Sequence, residues 1–403
     1  MADGVTSPSG DRATLGVGMV GYAFMGRAHS QAWRTVGHVF DLPLRPRMAA
    51  ICGRDAGAVA AAAAHLGWSA WETDWKRLVE RDDVELVDVC TPGSSHADIS
   101  IAALEAGKHV LCEKPLANNV AEARAMARAA ERAASRGVRA MVGFNFRRVP
   151  AVVLARRLVA EGRLGTIRHV RGAYLAGPLI DPEFPLIWRL QADEAGSGAL
   201  GDLGAHAIDL AQYVTGDRIV GVSALTETFV KERPLPGGGG RGEVTVDDAA
   251  LFIARFGGGA LASFEATRFA AGHKEGLRVE VNGDRGSLVW ELDNLNELSF
   301  FDATEERALQ GFRRVEVNEQ EHPYIPAWWF THALGYENTF THQARDLLAA
   351  IAAGEDPVPS FTDGLQVQQV LDAVLRSAAS GSNWTAVASD GPEGRQGPRG
   401  EPR

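Results

Sequence analysis

The sequence predicts an α/β protein: an N-terminal doubly wound parallel sheet of the Rossmann type, followed by an α+β unit with a large, mostly antiparallel sheet. Three observations predict it. Short apolar strands alternate with helices as far as Arg148. A glycine-spaced turn joins the first strand to the first helix. Beyond Pro150 the alternation gives way to long strands joined by glycine turns.

Leu15 to Val20 is the first strand, and Gly21-Tyr22-Ala23-Phe24-Met25-Gly26 leads into a helix through Trp33. The turn reads G-x-A-x-x-G, a variant of the dinucleotide fingerprint. Gly21 permits the tight turn, Gly26 the close packing of helix on strand, and Ala23 stands where backbone must approach a pyrophosphate. Arg47 to Cys52 is the second strand and Ala56 to Leu66 an alanine-rich helix. At the strand end, where an acid often holds the ribose, the sequence is Gly53-Arg54-Asp55. Arg54 can pair with a 2′-phosphate or stack on adenine, which favours NADP; Asp55 can bond the ribose or cap the next helix. Trp68 to Trp71 is a short third strand and Asp74 to Glu80 a connecting helix.

Asp83 to Pro115 holds a complete parallel βαβ unit: a buried strand Val84 to Cys90, a helix that Ser94 or Ser95 can cap, a stop at Gly107, and a second buried strand His109 to Cys112. Thr91-Pro92 and Glu113-Lys114-Pro115 follow the two strands, on the rim where open α/β sheets bind ligands. Val120 to Arg136 is a helix and Val138 to Gly143 a sixth strand. The expected organisation is a polar disordered tail over 1–12, a dinucleotide domain over 13–148, a substrate and oligomerisation domain over 149–385, and a disordered tail over 386–403 that is low in complexity from Asp390.

The second half opens with a helix from Ala151 to Ala160 and a strand from Ile167 to Ala176, then an irregular stretch with Trp188-Arg189 and the Gly196-Ser197-Gly198 hinge. Ala199 to Val214 is helical. The strands Val220–Val230, Val244–Phe256, Ala260–Phe269, Leu277–Asn282 and Ser287–Leu292 pair antiparallel across the turns at Gly257–Gly259 and Asn282-Gly283, with Gly237–Gly240 a flexible loop. Helices near Thr339–Ala353 and Asp363–Ser380 close the chain.

Asp202 and His206 stand four apart on the predicted helix, which places both on one face. A carboxylate beside an imidazole can orient it for general acid-base work; a helix histidine satisfied by a local acid is the plainer reading. No third ligand stands out for a metal. Lys114 reads either as a surface lysine paired with Glu113 or, held at a strand end by the following proline, as a donor to a substrate oxygen. His96 reads as a hydrogen-bonding residue at a helix start. Arg147-Arg148 can bind an anion or form a solvated turn. Trp188 and the run Pro326-Ala327-Trp328-Trp329 can stack on a sugar or pack in an interface.

The net charge of −10, with no basic patch, excludes nucleic acid as an expected partner. No apolar run approaches the ~18 residues of a membrane span. The three cysteines, Cys52, Cys90 and Cys112, fall in core strands without metal-ligand spacing and suit a reducing, cytoplasmic setting.

Taken in order, GYAFMG (21–26), CTPGSSH (90–96), GKHVLCEKPLA (107–117), GFNFRRVPA (143–151) and GSGALGDLGAH (196–206) resemble the Gfo/Idh/MocA family of nicotinamide-dependent oxidoreductases. The resemblance covers everything but the tails. LIWRLQADEAGSGALGD, VTVDD, FEATRFA and HPY…LGYENTF are similar to its branch of levoglucosan, inositol and glycoside dehydrogenases. It implies hydride transfer between NAD and a secondary hydroxyl of a cyclic polyol, sugar or glycoside, with NADP kept open by Arg54. It implies Lys114, Asp202 and His206 as catalytic, with Lys114 contacting both the reacting hydroxyl and the nicotinamide cofactor and the histidine as proton acceptor; from their residue types, Arg147 and Trp188 are expected beside them at the substrate. It places Gly21, Phe24, Met25, Thr91, Pro92, His96 and Glu113 on the cofactor. Ala23 and Gly93 depart from the commoner glycine and asparagine. Family members also include lyases and hydrolases that oxidise transiently with bound NAD, and the fold includes non-catalytic regulators. The resemblance further implies a homodimer or homotetramer through the sheet Val220–Leu292, whose face is expected to show Leu251, Ile253 and Phe264.

Overall fold

The computed structural model describes residues 13–389, so the tails 1–12 and 390–403 lie outside the described residues. The first sheet contains β1 (Ala13–Val20), β2 (Leu44–Cys52), β3 (Ala70–Glu72), β4 (Leu86–Val89), β5 (His109–Cys112) and β6 (Ala140–Val142). All pairs are parallel, in the order β3-β2-β1-β4-β5-β6. The order reverses between β1 and β4, and the crevice outside their carboxyl ends is where this topology places a ligand.

Helices α1 (Phe24–Val39), α2 (Ala56–Leu66), α3 (Trp75–Glu80), α4 (His96–Glu105) and α5 (Val120–Ala134) connect these strands. Local chemistry sets their ends. The Asp55 carboxylate accepts the Ala58 N–H at 2.7 Å and caps α2, and Gly67 ends it in the left-handed region at φ 82°. Asn119 caps α5 in the same way. Neither Ser94 nor Ser95 caps α4; the Ser95 hydroxyl turns back to Thr91 Oγ1 and the Pro92 carbonyl, bracing the loop before it.

The second half supplies α6 (Pro150–Ala160), β7 (Ile167–Leu175), a one-turn α7 (Ala192–Ala195), α8 (Ala205–Thr215) and β8 (Ile219–Glu227). A small hairpin, β9 (Glu232–Pro234) and β10 (Arg241–Glu243), has the Gly237–Gly240 run as its tip, with φ positive at all four glycines. Then come β11 (Ala249–Phe256), β12 (Leu261–Thr267), β13 (Gly276–Gly283), β14 (Gly286–Glu291), β15 (Glu297–Asp302), β16 (Arg313–Glu316), α9 (Tyr336–Ala353), α10 (Phe361–Ala379) and β17 (Thr385–Ala386). Nine strands form one sheet, β16-β15-β14-β13-β7-β12-β11-β8-β17, antiparallel except for β7 on β12. Ala386, assigned from sequence to a disordered tail, pairs with Gly221, and the Val387 N–H donates to the Val220 carbonyl.

The two halves are interlocked. Ala344, Leu347 and Leu348 of α9 pack with Leu15, Val17, Met19 and Trp33, so α9, assigned from sequence to the second domain, completes one face of the first sheet. On the other face the core runs without a break from β4 and β5 into α8, α10 and the large sheet.

Alternation along β11 decides the two faces of the large sheet. Phe252 and Phe264 pair across β11 and β12, stack at 4.7 Å and lie buried under the helices. Phe264 therefore does not belong to the exposed face expected from the sequence: its register partner is Phe252, one pleat away from Leu251 and Ile253, which are exposed. Phe264→Ala should lower unfolding free energy by about 3–5 kcal/mol, against well under about 1 kcal/mol for Leu251→Ala in the isolated chain. Urea denaturation with both variants checks the assignment.

Candidate active site

The phosphate turn is shaped by contacts that forbid side chains. A Cβ on Gly21, at φ 105°, would lie 2.6 Å from the Cys90 carbonyl oxygen, and one on Gly26 would lie 2.2 Å from that of Gly21. Ala23, at the N-cap of α1, is exposed and offers no side-chain cap, and the first turn carries no acid. The leading amides of α1 are thus free for an anion, and an NAD pyrophosphate fits them. Phe24 is exposed and Met25 half-buried beside this turn, with half-buried Thr91 and Pro92 across the crevice. A Cβ on Gly53 would meet the Tyr22 ring at 2.0 Å, so Tyr22 occupies the place of the usual acid after β2. Arg54 is exposed, with no hydrogen bond or ion pair among the described residues. Gly93 likewise has a cause: its Cβ would lie 2.3 Å from Asn118 Oδ1.

Lys114 leaves the end of β5 and crosses to the second half. Its ammonium donates to the Asp202 carbonyl at 2.7 Å and to Asp202 Oδ1 at 3.2 Å. The buried Arg268 donates to Asp202 Oδ2 at 2.9 Å and to the Arg189 carbonyl at 3.2 Å. The Arg189 guanidinium lies over the half-buried Trp188 ring, 4.3 Å from its centroid. Burial pushes the Asp202 carboxyl up, but Lys114, Arg268 and Arg189 together outweigh it and hold the group well below the usual carboxylate range.

Asp202 and His206 are near each other without forming the hydrogen-bonded pair that a spacing of four suggests. Leu200–Gly204 is a single π turn, with α8 starting at Ala205. The wider turn rotates Asp202 off the line through His206, toward Lys114 and Arg268. His206 is buried in an aromatic enclosure of Phe146 at 4.8 Å, Tyr174 at 6.0 Å and Phe144 at 6.1 Å between ring centroids. Burial and then the Lys114 charge hold its pKa well below the ordinary histidine value against the pull of Asp202, so the ring is neutral at physiological pH. The Tyr174 hydroxyl donates to Glu275 Oε2 at 2.7 Å; burial first, then Glu275, raises its pKa and keeps the phenol protonated.

Three expected ligand contacts turn inward instead. Arg147 is buried, and its guanidinium grips Asp209 through Nε and Nη2 at 2.6–3.1 Å, so it is a core ion pair and not a substrate group. His96 is buried with its two ring nitrogens at the Thr91 and Pro115 carbonyls, tying both rim loops together. Glu113 is buried against His29. Arg268, Arg189, Tyr174 and Asp247 were not singled out from sequence. Arg189, Asp247 and Arg268 fall within LIWRLQADEAGSGALGD, VTVDD and FEATRFA, but apart from the adjacent acids of VTVDD no local feature gives any of them a role.

Asp247 organises the π turn. Its carboxylate accepts the Gly198 N–H at 2.7 Å and the Leu200 N–H at 2.8 Å, and its carbonyl accepts the Ala199 N–H at 3.0 Å. A Cβ on Gly198 would lie 1.7 Å from that carbonyl oxygen, which is why the segment needs glycine there.

This order of parallel strands, its open phosphate turn and a strand-end lysine facing a carboxylate and a neutral histidine define an NAD-dependent oxidoreductase. Residues 15–144 match the oxidoreductase family with NAD-binding Rossmann fold, and residues 152–289 match the GFO/IDH/MocA C-terminal domain. The chain belongs to the Gfo/Idh/MocA family. It is 40% identical over 388 residues to levoglucosan dehydrogenase of Pseudarthrobacter phenanthrenivorans, covering 93% of this chain and 98% of that protein. A crystal structure of an oxidoreductase domain protein from Kribbella flavida superposes with a TM-score of 0.91 at 62% identity, covering 94% of this chain and all 100% of that one. A levoglucosan dehydrogenase complex with NADH and levoglucosan gives a TM-score of 0.89 at 40% identity, covering 93% and 99%.

Asp247→Ala leaves two buried amides unpaired and should cost about 1–3 kcal/mol of stability. Because the π turn carries Asp202, turnover should fall while NADH affinity, read by fluorescence quenching, stays unchanged. Equal loss of both would place Asp247 in the general core.

Proposed function

We propose that this protein oxidises a secondary hydroxyl of a cyclic sugar, anhydro sugar or polyol, with Lys114, Asp202 and His206 as the catalytic set. The observation that supports this best is the meeting of these three side chains, from the two halves of the chain, beside the dinucleotide crevice. His206, neutral and enclosed, accepts the hydroxyl proton. Lys114 donates to the same oxygen and stabilises its developing negative charge. Asp202 stays ionised and, braced by Arg268, holds the lysine in place. NAD, held by Gly21, Ala23, Phe24, Met25, Thr91 and Pro92, supplies the hydride acceptor when bound. Trp188 offers an apolar ring for the sugar, and the similarity to levoglucosan dehydrogenase puts levoglucosan first among substrates to try, with inositols next.

Absorbance of released NADH against a panel of sugars and polyols tests the reading. Net NADH is expected with NAD and the right sugar. Product formation without net NADH would favour transient oxidation by bound NAD, and no turnover at all would favour a binding protein. Lys114→Ala should lower kcat by about 100-fold or more, with NADH affinity within about threefold, because its contacts lie at the reacting carbon. His206 accepts a proton only when neutral, and its pKa is lowered; the acidic limb of kcat/KM should therefore fall below about pH 6.5 and vanish in His206→Ala. Near wild-type turnover by Lys114→Ala would reject this assignment.

Assembly belongs to the same reading. Leu225, Leu251, Ile253 and Leu261 form an exposed apolar surface on β8, β11 and β12, and a patch of this kind marks an interface. A second copy covering it makes a homodimer or homotetramer through the large sheet. Light scattering should give a multiple of the chain mass, reduced by Ile253→Asp; a monomer mass for the unaltered protein at micromolar concentration rejects it. No described helix is long and apolar enough to cross a membrane, and the buried free thiols of Cys52, Cys90 and Cys112 suit a cytoplasmic location.

A further inference from the structure

Behind Lys114 lies a buried charged cluster that the proposed chemistry does not use. His29 on α1 is 2% exposed, Asp88 on β4 is 0% and Glu113 is 4%. His29 Nδ1 lies 3.0 and 2.9 Å from the two Asp88 carboxylate oxygens, and Nε2 lies 3.0 Å from Glu113 Oε1. The Trp33 indole N–H donates to Asp88 Oδ2 at 2.7 Å, and the Cys90 thiol to Oδ1 at 3.5 Å. On its far side, Glu113 Oε2 accepts the Lys114 backbone N–H at 3.2 Å. The Phe340 ring of α9 closes the site, 5.3 Å from the imidazole, with Tyr336 on the same helix the remaining titratable group that faces it.

A neutral imidazole has one N–H and one lone pair. Between two carboxylates it satisfies one and turns a lone pair on the other. The doubly protonated ring donates to both, with charge-assisted bonds. We propose that His29 is a positioning residue: as an imidazolium between Asp88 and Glu113 it fixes the carboxylate that receives the Lys114 amide, and so sets how the catalytic lysine leaves β5. Burial works against a charged ring, but Asp88 chiefly outweighs it, and the His29 pKa stands well above its ordinary value. The ligand atoms of His29, Asp88 and Cys90 all lie within 4.8 Å of one another. Hydrogen bonds already occupy the ring and the carboxylate, and burial raises the thiol pKa and keeps it protonated, so the trio reads as a hydrogen-bonded brace, not a metal site.

The inference rests on the dehydrogenase reading for its kinetic arm. In the full chain with NAD and levoglucosan, or whichever sugar of the panel releases NADH, His29→Gln, which keeps one donor, should lose about 10–100-fold in kcat through misplacement of Lys114, with NADH affinity within about threefold. Wild-type kcat should fall on the alkaline side as His29 gives up its second proton, and that limb should be missing from His29→Gln. Linkage has the same sign: with the folded pKa raised, the ring's contribution to stability is full below about pH 6.5 and is lost as pH rises through the folded value. The difference in Tm between wild type and variant should therefore shrink as pH rises. A purely structural role would lower Tm and leave kcat of the folded protein and its pH profile unchanged.

Nitrogen NMR of ring-labelled histidine in the wild-type protein needs neither substrate nor variant. It should show His29 as an imidazolium at about pH 8, where an ordinary histidine is neutral. This arm separates failure of the brace from failure of the sugar-dehydrogenase reading. A neutral His29 ring there, or a folded His29→Gln with kcat within about threefold of wild type, overturns the proposal.

Discussion

The contact on which the site depends is the bridge from Lys114 to Asp202, a strand end of one sheet meeting a π turn packed against another. Neither half contains it alone. The lysine's direction is set where β5 stops, and the carboxylate's where Asp247 holds Gly198, Ala199 and Leu200. A small shift of either half would separate the ammonium from the carboxylate, and this accounts for the interlocking of the two halves. Helix α9 returns to seal the first sheet, the Val142 amide donates to the Pro359 carbonyl, and Ser94 and Asn118 hold the α7 turn through the Glu194 side chain and carbonyl. These contacts make the relative position of the halves a property of the core, not of a hinge.

Much of the fold was legible because it rests on periodicity and punctuation. Apolar runs of β4 and β5, the Gly107 stop and the Asp55 cap are local signals, and local signals survive folding. The strand β16 was not legible: RRVE is a polar edge strand, which carries no alternation of its own. The failures at the site share one cause, the need for a distant partner. Arg147 looks like an anion reader until Asp209, 62 residues on, appears beside it. Asp202 and His206 look like a pair until the π turn separates them. Arg268 becomes visible only when β12 brings its end to the π turn that carries Asp202.

One signal of the buried brace is present in the sequence. LVDV places an acid in a strand whose residues are all buried, and a buried acid requires partners. His29 and Trp33, four apart on α1, are the partners that helical spacing delivers to one face. The departures from family pattern follow the same logic of space. Gly53 makes room for Tyr22 and Gly93 for Asn118, so each glycine has a steric cause within the chain.

The electrostatics then follow from what faces what. Lys114, Arg268 and Arg189 converge on a single carboxylate, and His206, the nearest base, is neutral. Counted as full charges, the cluster carries an excess of positive potential before any substrate enters. An alcohol is neutral and gains little from that field. In the proposed reaction, the oxygen that gives its proton to His206 gains a great deal, because the compensating charge is already in place. Asp202 prevents the excess from becoming prohibitive, since cations packed together without it would repel one another and Lys114 would swing out toward solvent. In the proposed reaction its task is to hold the cations together at the oxygen where negative charge appears, which differs from orienting the histidine four residues away.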